Sequence, residues 1–220
     1  VQPLENGVEV HCHDRKPMLA RLLVIATGVS RQLIEQAGRS IPAYRLVSLT
    51  AAAALAAHCG CRKIIVTDRI DHRLAFIRDY GATDTIHTLN MAESDVVRMV
   101  RDRTNGFGVD CVLEVAGSAD LIPIGLQCLR IGGRLIEIGN SFPNARFSCD
   151  ACDFVWRRLT LTGVHNYDTR HLQMGIDFLA ATNSQFPFEK LVTHRFDLDE
   201  INAALQMAAS GEDIRVAVLP

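Results

Sequence analysis

Three strand-like runs in this sequence each end on residues whose types suit them to grip a small ligand. KIIVT at 63–67 is followed by Asp68. A carboxylate at that point can accept both hydroxyl hydrogens of an adenosine ribose, and it repels a 2′-phosphate. The plain alternative is a solvated strand-end aspartate or the N-cap of the next helix. Arg73 falls on the first turns of that helix, where it is either an ordinary surface arginine or the partner of Asp68 at the adenosine end. VDCVLEV at 109–115 closes on Val115, Ala116 and Gly117, and RLIEI at 134–138 closes on Ile138, Gly139 and Asn140. Small residues at strand ends let a flat ring approach the backbone, and exposed carbonyl or amide groups can hold a carboxamide. Simple turn chemistry explains the same residues equally well. Finally, GEDIR at 211–215 delivers Arg215 beside the last strand, and an arginine fork matches two oxygens of a pyrophosphate.

These residues need a scaffold that brings strand ends together, and the pattern from about residue 50 supplies one. An alanine-rich helix is expected at 50–58, with Thr50 as N-cap and Gly60 as stop. Strand 63–67 follows, then helix 71–80 with Leu74, Ile77 and Tyr80 at helical spacing. A helix at 92–103, strand 109–115 and helix 120–129 come next, and Gly132-Gly133 turns into strand 134–138. Beyond it the pattern gives strand 159–164, helix 170–181, a short strand with Val192 and Thr193, helix 198–209 and strand 216–219. Strands alternating with helices of this length predict right-handed βαβ units, an α/β fold with a doubly wound parallel sheet. In such a sheet ligands bind beyond the carboxyl ends of the strands, where the strand order reverses.

Composition narrows the partners. Lysine plus arginine number 23 against 25 aspartate plus glutamate, a net charge of −2 without a like-charge block. A nucleic-acid or membrane-surface partner calls for a basic face, so neither is expected. No run reaches the roughly 18 apolar residues of a membrane span. The opening VQPLENGVEV lacks the basic and apolar regions of a signal peptide. The seven cysteines are odd in number, and Cys111 and Cys128 sit in apolar runs as small hydrophobes. A reduced, cytoplasmic chain is expected.

The stretches IIVTDRIDHRLAFIRDYGATDTI, GVDCVLEVAGSADLIPIGLQCLRIGGRLIEIG and THRFDLDEINAALQMAASGEDIR together resemble the nucleotide-binding half of zinc-type medium-chain alcohol and polyol dehydrogenases. The similarity runs from about residue 50 to the end and keeps element order and spacing. It implies a Rossmann-like domain at 49–220 and hydride transfer between NAD and an alcohol, with this chain the cofactor-binding part. It also implies that Asp68 and Arg73 take the adenosine ribose, and that Arg215 reaches the pyrophosphate. Val115, Ala116, Ile138, Gly139 and Asn140 would line the nicotinamide. Dimers of that family extend the sheet across the strand matching 159–164, which implies a homo-oligomer.

The sequence departs from the family in two places. The G-x-G-x-x-G turn, which lets backbone N–H groups approach a pyrophosphate, would fall at Tyr44, Leu46 and Leu49, and none is glycine. The family's zinc ligands, substrate pocket and proton relay belong mostly to an N-terminal domain that nothing here matches. No catalytic residue and no metal ligand is therefore assigned, and a small alcohol is a substrate only if a catalytic domain is supplied. His11-Cys12-His13 and the C-x-x-C of Cys149 and Cys152 are read as scattered histidines and reduced cysteines. The alternative function is a non-catalytic, truncated or recombined Rossmann module with weak or no nucleotide binding.

Residues 1–48 form an atypical N-terminal segment of hairpin, strand and helix. NGVEVHCHD and ARLLVIATGVSRQLIEQAG are similar to a segment of flavin-dependent oxidoreductases, where the glycine at Gly28 lies near the flavin. Ala26-Thr27-Gly28 alone favours a flavin-linked reductase. The segment also bears on the sheet, whose first strand has two candidates. One is YRLVSL at 44–49. The other is RLLVIA at 21–26, favoured because a central parallel strand buried on both faces is continuously apolar. The second choice requires residues 29–42 to bulge out as an added helix and turn.

Overall fold

The computed structural model describes residues 21–25, 49–140, 143–166, 169–211 and 213–220. The expectations for the hairpin at 7–12, the His11-Cys12-His13 triplet, Gly28, the helix at 29–37 and positions 44 and 46 lie outside them.

A six-stranded parallel sheet forms the centre. Its strands are β1 (Arg21–Ile25), β2 (Lys63–Asp68), β3 (Asp84–His87), β4 (Val109–Glu114), β5 (Leu129–Glu137) and β6 (Thr160–Gly163). They lie in the order β3-β2-β1-β4-β5-β6, so the chain winds outward from β1 in one direction and returns to wind outward in the other. The expected use of RLLVIA is met. β1 pairs with β2 from Arg21↔Lys63 to Ile25↔Thr67, and with β4 from Leu22↔Cys111 to Ile25↔Glu114. The central strand thus comes from the N-terminal segment.

Helices cover both faces. The alanine-rich α1 (Leu49–His58) buries Ala52, Ala53, Ala54 and Ala56 against Ile64 and Val66 of β2. Small side chains let it lie close to the sheet. On the same side α2 (Asp71–Phe76) and the 3-10 turn Ile77–Tyr80 contribute Leu74, Ile77 and Tyr80. Tyr80 is fully buried and its Oη donates to the Pro187 carbonyl at 2.5 Å. The opposite face gathers Ile65, Val112 and Leu135 under α3 (Glu93–Arg103) and α4 (Leu121–Cys128), with Val96, Val100, Ile122 and Leu126. Alternate residues of β2 feed opposite cores, as the period of a strand requires.

The remaining elements are α5 (Ala151–Trp156), α6 (Thr169–Thr182), β7 (His194–Asp197), α7 (Ile201–Ser210) and β8 (Val216–Leu219). Among the described residues β7 and β8 pair with each other, in a separate two-stranded parallel sheet. Among the described residues no helix is long and apolar enough to cross a membrane.

Four local expectations are corrected. The strand expected at Val192 and Thr193 starts instead at His194, because Thr193 spends its N–H and hydroxyl on the Arg215 carbonyl. Gly132 and Gly133 lie within β5 rather than before it, Gly132 at φ +74°. A Cβ on Gly133 would sit 2.9 Å from the Arg130 carbonyl, so crowding explains that glycine better than a turn does. β3 was not anticipated, since DTIH buries Ile86 alone. Nor was α5, which buries no residue and so shows no apolar period.

Candidate functional site

One row of residues crosses the carboxyl end of the sheet. Ile25 pairs with Thr67 on one side and Glu114 on the other, Glu114 pairs with Glu137, and Glu137 with Gly163. Asp68, Val115 and Ile138 each stand one residue past this row. The row spans the point between β1 and β4 where the winding reverses, which is where an open parallel sheet forms its ligand crevice. The fold therefore aligns the three strand ends that the sequence singled out.

The site residues fall into two groups on either side of β1. On the β2 side, Asp68 is buried, 1% exposed. Its Oδ1 accepts the N–H groups of Arg69 at 2.6 Å and Ile70 at 3.0 Å, closing the turn into α2. Its Oδ2 makes no hydrogen bond among the described residues. Burial lifts this carboxyl above its ordinary range, against the pull of the Arg73 guanidinium and then of the two turn N–H groups. Arg73 is held by the C-terminal turn: Nη2 donates to the carbonyls of Gly211 and, at 2.9 Å, Asp213. Its Nε is buried without a partner. Asp213 in turn meets His194 Nδ1 at 2.5 Å and Thr193 Oγ1 at 3.1 Å. Arg215 lies two residues along the same turn and is exposed. Asp68, Arg73 and the turn carrying Arg215 are thus neighbours, although distant in sequence.

On the β4–β5 side, Val115 and Ala116 are buried, and Ile138, Gly139 and Asn140 are half-buried. Two residues that the sequence reading passed over organise them. Glu114 is fully buried, and its Oε1 accepts from the N–H groups of Ala116 at 2.9 Å, Gly117 at 2.8 Å and Ser118 at 3.4 Å. Its main-chain carbonyl accepts from Ile138 and Gly139. Glu137 Oε1 accepts from the main-chain N–H of Asn140 at 2.9 Å and its Nδ2 at 3.0 Å. A Cβ on Gly139 would lie 2.5 Å from Glu114 Oε2 and 2.8 Å from the Gly117 Cα. Only glycine lets these two loops touch. The signal available in the sequence was an acidic residue inside each of two apolar runs, VLEV and LIEI.

Burial, reinforced by the neighbouring Glu137 carboxyl, pushes the Glu114 carboxyl up to about 8 against the backbone N–H groups of Gly117 and Ser118. Most N–H groups of this corner are committed within the protein, so a ligand would meet carbonyl oxygens and apolar contact. For a metal the fit is absent: among the described residues no group of three or more His, Cys, Asp or Glu side chains is arranged to hold one. Cys149 and Cys152 are exposed and flank Asp150, whose side chain caps α5 through the Cys152 N–H.

The comparisons with known proteins agree with this architecture. The L-threonine 3-dehydrogenase of Symbiobacterium thermophilum is 30% identical over 162 residues, 73% of this chain and 45% of that protein. The 5-exo-hydroxycamphor dehydrogenase of Pseudomonas putida is 26% identical over 168 residues, 76% of this chain and 46% of that protein. An alcohol dehydrogenase from Thermotoga maritima superposes with a TM-score of 0.75 at 22% identity, over 94% of this chain and 52% of that one. A Sinorhizobium meliloti protein solved with NADP bound superposes at 0.69 and 19% identity, over 91% of this chain and 51% of that one. The chain spans about half the length of the relatives it matches. The family described as zinc-binding dehydrogenase matches residues 50–181, and this chain belongs to it as a nucleotide-binding half.

Proposed function

We propose that this chain is the cofactor-holding part of an NAD-dependent alcohol or polyol dehydrogenase. The observation that carries the reading is the alignment of Asp68, Val115 and Ile138 along one sheet end at the winding reversal. A bound nicotinamide dinucleotide would supply the hydride acceptor or donor. This chain's residues would orient it. Asp68 Oδ2 accepts from the adenosine ribose, and Arg73, fixed by the C-terminal turn, tempers the local charge. Arg215 approaches the pyrophosphate from the same turn. Val115, Ala116, Ile138, Gly139 and Asn140 present a small-residue floor and carbonyl oxygens to the nicotinamide. The described residues offer no zinc ligand set, so no catalytic step is assigned to them. A small alcohol becomes a substrate only with a catalytic domain supplied.

A homo-oligomer forms in this reading through β6, the last strand of the sheet, whose outer edge pairs with no strand among the described residues. The second reading, a Rossmann module that binds nucleotide weakly or not at all, is favoured by Leu49. It occupies one of the family's glycine positions and opens α1. Calorimetric titration with NADH separates the two: saturable binding supports the first, and no heat at millimolar cofactor supports the second.

A further inference from the structure

The glutamates at the ends of β4 and β5 do more than close their own loops. They stand opposite each other in register, and both side chains reach the Asn140 amide, whose Nδ2 lies 3.4 Å from Glu114 Oε2 and 3.0 Å from Glu137 Oε1. Two ionised carboxylates have no hydrogen to share. Glu137 Oε2 is buried with no hydrogen-bond partner among the described residues, and a proton on the neighbouring Glu114 carboxyl would satisfy it. We propose that Glu114 and Glu137 hold one proton between them and in that state are positioning residues. Together they clamp the loop at 115–118 to the loop at 138–140.

The clamp has identifiable parts. From the β4–α4 loop, Glu114 faces the N–H groups of Ala116, Gly117 and Ser118. From the far side it faces Glu137, Gly139 and the Asn140 amide, whose Nδ2 lies 3.4 Å from Glu114 Oε2. From β1 its register partner is the uncharged Ile25. Glu137 is the one charged group among these. Losing the shared proton sets the buried Glu114 charge beside the half-buried Glu137 and removes what holds the two loops together. The proton is held more tightly in the folded chain than in the unfolded one. Its contribution is therefore complete below the ordinary glutamate range and is lost as pH rises toward about 8. Resting on the function proposed above, the same change loosens the nicotinamide end of the cofactor site at alkaline pH.

Glu114→Gln tests this, because a glutamine imitates the protonated state. Its carbonyl oxygen accepts the three loop N–H groups, and its NH2 donates to Glu137 Oε2. Denaturant unfolding of the full chain between about pH 5 and pH 9 should show wild-type stability falling with pH, the unfolding constant growing by up to about tenfold per unit. Glu114→Gln and Glu137→Gln should both flatten that dependence. At about pH 9, Glu114→Gln should be the more stable protein. Parallel wild-type and Glu114→Gln profiles overturn the proposal. So does a Glu114→Gln protein less stable than wild type throughout the range. NADH titration on the same proteins keeps the two proposals apart. Flattened profiles without NADH binding leave the clamp standing and remove the cofactor reading. NADH binding with parallel profiles does the reverse.

Discussion

At the scale of single residues, Asp68 closes a turn, and the proposed function gives the same carboxylate a recognition role. Its Oδ1 is used up by the turn before α2; it does not cap that helix, whose N-cap is Ile70 without a side-chain cap bond, and Oδ2 makes no hydrogen bond among the described residues. A 2′-phosphate arriving there meets a buried negative charge, which Arg73 offsets only partly because its Nη2 is tied to the C-terminal turn. NADH should therefore bind more tightly than NADPH in paired calorimetric titrations. Asp68→Ser should narrow the gap by about tenfold, or about 1.4 kcal/mol. Tighter binding of NADPH by the wild-type chain would count against this assignment. The sequence exposed Asp68 through its position after an apolar run. It hid Glu114 and Glu137, because their importance depends on two strands lying side by side.

Among the elements, β1 carries the most consequence. It pairs on both edges, and α1 and α4 pack against it. These helices serve the two different cores of the sheet. A continuously apolar strand paired on both edges is read as buried on both faces. Leu23→Asp and Val24→Asp should each destabilise the chain by about 4 kcal/mol or more, since an unpaired charge is driven into an apolar layer. Loss of the cooperative urea transition, followed by circular dichroism, is the expected result. A variant that unfolds at the wild-type midpoint would show that the strand is dispensable. This strand was legible in the sequence because continuous apolar character marks a strand buried on both faces. β3 and α5 were illegible for the complementary reason: they bury almost nothing and leave no period to read.

For the molecule as a whole, the chain's length against its relatives is the governing fact, since it spans about half of each. In the proposed reading, the zinc site and substrate pocket come from a part of the relatives that this sequence does not match. The purified chain should therefore carry no stoichiometric zinc by metal analysis and should not oxidise alcohols with NAD. About one tightly held zinc per chain, lost on replacing Cys149 or Cys152, would reverse that expectation. The free edge of β6 makes a second whole-molecule prediction. Light scattering should give twice the monomer mass, and Gly163→Pro should shift it toward monomer by removing an edge donor, since the neighbouring Val164 N–H bonds inward to β5. A chain that is monomeric at every concentration would refute the edge as an interface.

The sequence by itself determined the order of most helices and strands, the parallel α/β class, the family, and the strand ends that the sheet brings into one row. Each of these follows from local periodicity and from which residue comes next along the chain. Only the tertiary structure decided that β1 lies between β2 and β4, and that Arg73 is bound to a turn 138 and 140 residues away. It alone set Glu114 against Glu137. These are contacts between segments far apart in sequence. No local pattern encodes them; they arise when the sheet brings the strand ends into one row.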